Sequence, residues 1–521
     1  MRESMGSEGR TGGTPAGPLP FEARAAGEPS LTRRQMLGGC AAAVGAMLTA
    51  TAFSTPPSRR RITNRSLAHL ERALRGRLIL PCDPDYHARR LTWNRRLESH
   101  PLAIVEVADE RDVASAIGWA QSEGVPLVPR SGGHSYVGAS GGNGLVLDLR
   151  RLDTIEFDRT SGLVVVGTGS TLGSIYRALH CEEGLSIPSG TCPGVGIGGI
   201  TQGGGWGWAS REFGLTCDRL AGARVVLANG SILDTDSPGG SDLLWALRGG
   251  GGGAFGIATE FRFEPIPSVA RSIASVRYRW ADFEAGLLAW QENLLSALPW
   301  WITPVASLST DPNGDEPIFR VSLSIPGPPE FARILVEQWV PPGVDPLSVS
   351  ANVQEPPSCW SSIGSGASFG KQKSAMPREP IAPPALAIAR RWFEERRRDN
   401  AIPTEERASL LLDGYGGRIA SIATDATAFA HRSAIASLQF ITSWQSKTPP
   451  ETVTAHLDWI RGFHSEIRPW LGRGCYVNYA DEDLEDWPWA YWDSNLPRLQ
   501  QLKREFDPEG FFSGLHTVPL A

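Results

Sequence analysis

Several features are missing from this sequence, and each absence removes a class of function. No run of Lys and Arg interleaved with aromatic residues occurs, and acidic residues outnumber basic ones by 56 to 50, a formal net charge of −6. A nucleic-acid partner is therefore not expected, because phosphate backbones are gripped by clustered positive charge. The cysteines Cys40, Cys82, Cys181, Cys192, Cys217, Cys359 and Cys475 form no Cys-x-x-Cys pair and sit in no His-rich spacing, so no structural metal site is expected. One or two disulfides remain open to them, with no pairing legible. The apolar stretch Gly38–Ala52 falls short of the roughly 20 residues that cross a bilayer, so no stable membrane span is expected in the mature form. Beyond it there is no internal repeat and no low-complexity tract.

What is present describes an ordinary globular chain: 521 residues, 41% hydrophobic and 20% charged, enough for two or three domains. Its 58 glycines are concentrated, with dense runs at Gly132–Gly144, Gly190–Gly207 and Gly249–Gly256, where the backbone must approach something closely. Its 18 tryptophans offer flat faces for rings or sugars, although packing in a core explains most of them singly. The amino terminus reads as a disordered leader followed by Thr32-Arg33-Arg34-Gln35-Met36-Leu37 and an apolar stretch ending in Ala50-Thr51-Ala52. That is the pattern of a twin-arginine signal peptide over 1–52, cleaved near Ala52, and it predicts export to the periplasm or beyond.

Periodicity places helices over Leu67–Leu97 (interrupted by a Pro-containing loop at Pro81–Pro84), Glu110–Glu123, Thr171–Glu183 and Ser494–Phe506. Short strands are expected at Ala103–Val107, Val125–Pro129, Gly144–Leu149 and Leu163–Gly167, with a hairpin of Ala223–Leu227 and Ser231–Asp234 across Asn229-Gly230. A second region has longer alternating strands, among them Ile273–Tyr278, Phe319–Ile325, Ser409–Asp413 and Ser437–Trp444.

Two glycine segments carry the chemistry. Arg130-Ser131-Gly132-Gly133-His134-Ser135 follows a strand, and a turn of this kind aims amide N–H groups at a pyrophosphate while presenting a histidine. In Ser189–Gly207 side chains are nearly absent, so the main chain can lie against a flat ring and phosphates. Its Gly194-x-Gly196-x-x-Gly199 spacing imitates a dinucleotide fingerprint. No apolar strand leads into it, and Gly203-Gly204-Gly205 stands where a helix should run, so a Rossmann unit is rejected.

Together with Asp242–Ile257, Tyr476-Val477-Asn478-Tyr479 and Lys503–Pro508, these segments resemble, in order along the chain, the berberine-bridge-enzyme-like FAD-linked oxidases. The resemblance implies an α+β fold: a two-subdomain FAD-binding domain of the p-cresol-methylhydroxylase type over 60–268, an antiparallel-sheet substrate domain covered by helices over 269–470, and a carboxy-terminal segment, 471–521, returning to the FAD domain. It implies FAD bound through two covalent links, His134 to the 8α-methyl carbon and Cys192, reacting as a thiolate, to C6. Arg130, Ser131, Gly132, Gly133, Ser135, Val195, Gly196, Gly199, Gly203, Gly204, Ile257 and Asn478 would line the cofactor.

The implied reaction is hydride transfer from an alcohol or hemiacetal to flavin N5, with O2 as acceptor and H2O2 as product. Tyr479 is the implied base, Tyr476 its alternative, and a neighbouring cation or the reduced-flavin environment would lower the phenol's pKa. Gln439 is expected to donate to substrate or flavin. Candidate substrates are oligosaccharides and glycosylated or polyketide metabolites. The competing readings are a dehydrogenase with another acceptor and a degenerate flavin-binding protein. Trp206, in place of a common Tyr, cannot accept a proton and removes a two-tyrosine relay. Ile200 and Ala254 replace a common His and Asn, removing two polar contacts. Ala426 stands where alkaloid-cyclising relatives carry a glutamate, and Val195 occupies a position that governs O2 access.

Overall fold

A computed structural model describes residues 62–312, 316–354, 367–399, 401–403 and 406–520. The expected leader and signal peptide over 1–52 therefore lie outside the described residues. The described residues build three large sheets and one two-stranded ribbon. The first contains β1 (Arg77–Ile79), β2 (Ala103–Glu106), β3 (Leu127–Arg130) and β4 (Leu145–Asp148) in the order β1-β2-β4-β3. Strands β2, β4 and β3 are parallel, and β1 joins antiparallel. The crossover between β2 and β3 is the helix Glu110–Glu123, whose first turn is capped by the Asp109 carboxylate accepting from the Arg111 and Asp112 amides. It stops at Gly124, whose φ of 65° suits glycine.

The helical region expected over Leu67–Leu97, with its loop at Pro81–Pro84, is instead two short helices, Asn64–Ala73 and Tyr86–Arg90, flanking β1. Gly76 explains the break. A Cβ there would lie 1.9 Å from the Glu106 carbonyl, so the chain is pressed against β2 and enters a strand. The Asp112 carboxylate, buried, takes the amides of Arg75, Gly76 and Ala108 and fixes that bend.

The second sheet draws on β5 (Ile155–Asp158), β6 (Leu163–Gly167), β8 (Leu220–Val226), β9 (Ile232–Asp234) and β10 (Ile257–Phe263), ordered β5-β6-β10-β8-β9 and antiparallel throughout. A two-residue strand β7 (Leu185–Ser186) pairs with β11 (Ile266–Pro267). Between β7 and β8 runs the long glycine segment, and a seven-residue helix, Ile197–Gly203, does begin at Gly196, where the sequence reading left none. It is ended by Gly204 and Gly205, with φ of 128° and 88°.

The third sheet has seven antiparallel strands: β12 (Arg271–Tyr278), β13 (Thr303–Ser309), β14 (Ile318–Pro326), β15 (Ser348–Gln354), β16 (Phe369–Ala375), β17 (Ala408–Gly414) and β18 (Ala436–Trp444), ordered β15-β12-β14-β13-β17-β18-β16. Alternate residues of a strand face opposite sides. Leu410, Leu412, Leu438 and Phe440 turn one way, into a core with Trp290, Phe393 and Phe463 from the helices Phe283–Leu295, Pro383–Arg398 and Pro450–Leu471. Leu411, Asp413, Ser437 and Gln439 turn the other way.

The chain's end then packs back on the second sheet, with Leu499 and Leu502 of helix Leu496–Phe506 in one cluster with Ala246, Phe255 and Phe261. Lys503, buried, donates to the carbonyls of Ala254 and Phe512 and to Asp507, at 2.6, 2.8 and 2.6 Å. Cys82 is disulfide-bonded, whereas Cys181, Cys192, Cys217 and Cys475 are free thiols. Among the described residues no helix is long and apolar enough to cross a membrane.

Removing the Lys503 ammonium strands the Asp507 carboxylate in the interior, and breaking a buried pair from one side costs about 3–5 kcal/mol. Lys503→Met is expected to lower the unfolding free energy by that order in denaturant titrations followed by fluorescence, whereas Lys503→Met with Asp507→Asn recovers part of the loss.

Candidate active site

The two glycine segments interlock. A Cβ on Gly132 would lie 2.2 Å from the Gly196 amide nitrogen, and one on Gly196 would lie 2.0 Å from Ser131 Oγ. Ser131 Oγ donates to the Thr168 carbonyl (2.6 Å) and accepts from the Gly198 amide (3.3 Å), pinning both segments to the end of β6. Gly133, at φ of 72°, turns the chain toward His134. Arg130 is buried and spends its guanidinium on the carbonyls of Arg89, Ser140 and Arg90, so it shapes the turn from behind and its charge is not offered to a ligand. Ser135 Oγ likewise serves the loop, accepting from the Ala139 amide.

His134 stacks on Trp93 with ring centroids 5.2 Å apart and planes 19° from parallel. Burial pushes its pKa down to about 4, so the imidazole is neutral at ordinary pH, and neither ring nitrogen has a hydrogen-bond partner among the described residues. Cys192 is half-buried. Burial pushes its thiol above the ordinary value, with a contact from Thr191 opposing, and no cation stands by to stabilise the thiolate that the sequence reading calls for. Val195 is half-buried, and its carbonyl accepts from Leu172. Ile257 is buried at the start of β10. Gly199, in contrast, has open space on its side-chain position.

The tyrosines come from the carboxy-terminal segment. Tyr476 is buried, and its phenol oxygen accepts from the Gly205 amide (2.7 Å) and from Asn478 Nδ2 (3.0 Å). Asn478 also donates to the Ile200 carbonyl and sits where a Cβ on Gly203 would be 2.1 Å from its Oδ1. These two residues thus clip the carboxy-terminal segment to the glycine helix, with the absent side chains of Gly203 and Gly204 making room.

Tyr479 lies beside Tyr476 (4.9 Å, edge-on) and stacks on Tyr136 (5.7 Å, 22°). Its electrostatic surroundings invert the sequence reading. In place of a cation it meets Asp413, and burial together with this carboxylate pushes the phenol well above its ordinary pKa. Asp413 in turn is pushed up to about 7 by burial, against the lowering effect of its hydrogen bond with Tyr479. Gln439, two residues beyond Asp413's cross-strand partner Ser437, is buried and donates to the Tyr136 hydroxyl at 2.8 Å. Its amide is therefore engaged with Tyr136, which also lies close enough to Cys192 for the two to interact electrostatically.

Edge strand β16 is gripped from both faces. Ser374 meets the Tyr476 amide and the Tyr479 carbonyl, while Lys371 and Lys373, both buried, pair with Asp481 on the other side.

Asp413, Tyr136 and Trp93 escaped the sequence reading. Asp413 had one available signal, a carboxylate ending the apolar run Leu410-Leu411-Leu412 in a strand buried on both faces. Tyr136, two residues after His134, had only proximity.

These residues fit FAD. The glycine segments allow backbone contact with a flat ring, His134 offers an unengaged nitrogen, and the buried hydroxyls of Ser140, Ser170, Ser189 and Thr201, on or beside the two loops, have no partner among the described residues.

Comparison with known proteins agrees. A family model for an FAD binding domain matches residues 101–236, and one described as berberine and berberine like matches 475–519. The FAD-linked oxidoreductase YgaK of Bacillus subtilis is 31% identical over 464 residues, which cover 86% of this chain and 97% of the relative. The glucooligosaccharide oxidase of Sarocladium strictum is 28% identical over 466 residues, covering 82% and 89%. Among solved structures, BBE-like 1 of Physcomitrella patens has a TM-score of 0.78 at 26% identity, covering 87% of this chain and 99% of its own.

Tyr476→Phe leaves the buried Gly205 amide without its acceptor. It is expected to cost about 1–3 kcal/mol of stability in denaturant unfolding, and Tyr479→Phe, which deprives the buried Asp413 carboxyl of its hydrogen bond, is expected to cost a comparable amount.

Proposed function

This chain belongs to the berberine-bridge-enzyme-like FAD-linked oxidases, with an FAD-binding domain of the p-cresol-methylhydroxylase type, and from that premise we propose that it is exported, holds FAD through both His134 and Cys192, and oxidises a hydroxyl or hemiacetal carbon of a sugar-containing substrate, with O2 returning as H2O2. FAD when bound supplies the hydride acceptor. The chain's own contribution is to hold the substrate hydroxyl and take its proton.

The observation that carries this reading is the Tyr479–Asp413 pair. A phenol raised by burial and by a carboxylate is a poor base alone. Coupled to Asp413, it can receive the substrate's hydroxyl proton at its oxygen while passing its own to a carboxylate whose pKa, about 7, suits exchange near neutral pH. Tyr136, backed by Gln439, forms the wall beside Tyr479 and supplies a flat face for a pyranose ring. The sugar class draws support from the glucooligosaccharide oxidase relative. Export draws support from the paired Arg33-Arg34 ahead of the apolar Gly38–Ala52 stretch. The link to Cys192 needs its thiol ionised against the burial that raises its pKa.

Acid precipitation of the purified protein tests the cofactor reading. Yellow colour is expected to stay in the pellet, to survive either His134→Ala or Cys192→Ala, and to pass to the supernatant in the double variant. Colour released from the unaltered protein overturns covalent attachment. Anaerobic mixing with reducing oligosaccharides tests the substrate class: bleaching of the flavin band is expected, and a band left unbleached by every sugar offered would overturn it.

The pH dependence follows from Asp413. Because the carboxylate must be ionised to accept a proton, kcat/KM is expected to rise with pH through about 7 and level off above it. Asp413→Asn is expected to lower kcat by about 10²–10⁴-fold and to abolish that rise, as read in stopped-flow flavin reduction across pH 5–9.

A further inference from the structure

A histidine that must present one nitrogen to an electrophile is ordinarily oriented by a hydrogen bond at the other. His134 has no such bond among the described residues, so something else must set the plane of its ring. The candidate is the indole stacked on it, and that indole is held more firmly than a surface tryptophan would be. The Trp93 amide donates to the Gly133 carbonyl at 2.9 Å, and its own carbonyl accepts from the Ser368 amide at 2.9 Å. The next residue, Asn94, is buried, and its Nδ2 donates to the carbonyls of Tyr136 (2.9 Å) and Gly370 (3.1 Å). A main-chain bond therefore ties the Trp93 backbone to the residue before His134, and the Asn94 side chain ties its neighbour to the residue two beyond, while both reach across to the start of β16. The indole face is built into the same unit as the loop that carries the histidine.

We infer that Trp93 is a positioning residue for covalent attachment of the cofactor: its ring fixes the His134 imidazole in the plane from which a nitrogen reaches the flavin. This rests on the reading that His134 carries the flavin. The bond joins an imidazole nitrogen to the methyl carbon at flavin position 8. The methyl C–H and the imidazole N–H break, and their two hydrogens with two electrons leave to O2 as H2O2. The neutral state of His134 keeps a lone pair available for that bond, but a lone pair aimed elsewhere forms none. Stacking restricts the ring to one plane at a centroid distance of 5.2 Å, where an aliphatic side chain would fill space without selecting an orientation.

The test is peptide mass spectrometry on the Cys192→Ser protein, in which only the histidyl link can form. It measures the fraction of the His134-containing peptide that carries flavin, beside total flavin per chain by absorbance. In Trp93→Leu the modified fraction is expected to fall at least fivefold while total flavin stays within a factor of two, and Trp93→Phe, which restores a flat face, is expected to return most of it. A Trp93→Leu protein modified as fully as its parent overturns the inference. So does a Trp93→Leu protein that has lost its flavin altogether, since the tryptophan would then serve binding or folding rather than orientation. An unmodified His134 peptide in the parent defeats the underlying reading instead, and the two failures are thereby distinguished.

Discussion

The structure turns on a steric constraint: two stretches of backbone touch where neither has a side chain. Gly132 and Gly196 approach so closely that a single methyl on either would collide with main-chain atoms of the other segment. That contact brings the loop bearing His134, which leaves the first sheet, against the loop bearing Cys192, which leads into the second. Ser131 locks the approach by bonding to Thr168 and Gly198 at once. The seam between the first and second sheets is thereby the place that fits the cofactor, and its walls are set by what the sequence omits.

The third sheet adds chemistry to that seam through strand alternation. Leu410, Leu412, Leu438 and Phe440 commit one face to the helix-covered core, which obliges Asp413 and Gln439 to face the other way. On that side they meet Tyr479 and Tyr136, one from the end of the chain and one from the histidine loop. Three segments far apart in sequence thus converge, each delivered by a different element. Desolvation then does the tuning: it keeps His134 neutral, lifts Tyr479 out of the range of a free base, and raises Asp413 to where it exchanges protons near neutrality.

Much of this was legible in the sequence, for reasons that differ by residue. The helix Glu110–Glu123 announced itself through periodicity, and the glycine runs marked the close approaches. His134, Cys192 and Tyr479 were legible only as a conjunction of short motifs in order. Arg130 was not: an arginine beside a glycine turn looks like an anion ligand, and only the carbonyls of Arg89, Arg90 and Ser140 around it reveal a brace. Of the two influences expected on Tyr479, a cation or the reduced flavin, the first is replaced by Asp413. Which group lies across a sheet from a given residue depends on strand pairing over long separations, and no local pattern encodes that β17 presents a carboxylate to residue 479. The helix break near Gly76 was missed for the same reason, since it depends on contact with β2 some thirty residues on.

Tyr479, the proposed base, belongs to the last tenth of the chain, and its segment is anchored around the edge strand by Ser374 on one face and by Lys371 and Lys373 on the other. Synthesis therefore delivers the parts in a fixed order. Both glycine loops leave the ribosome long before the segment bearing Tyr476 and Tyr479, whose anchors on β16 lie far upstream of it. A chain interrupted upstream owns every glycine of the flavin cradle and still lacks both tyrosines. On the function proposed above, completion of the polypeptide would itself be the switch that arms the enzyme.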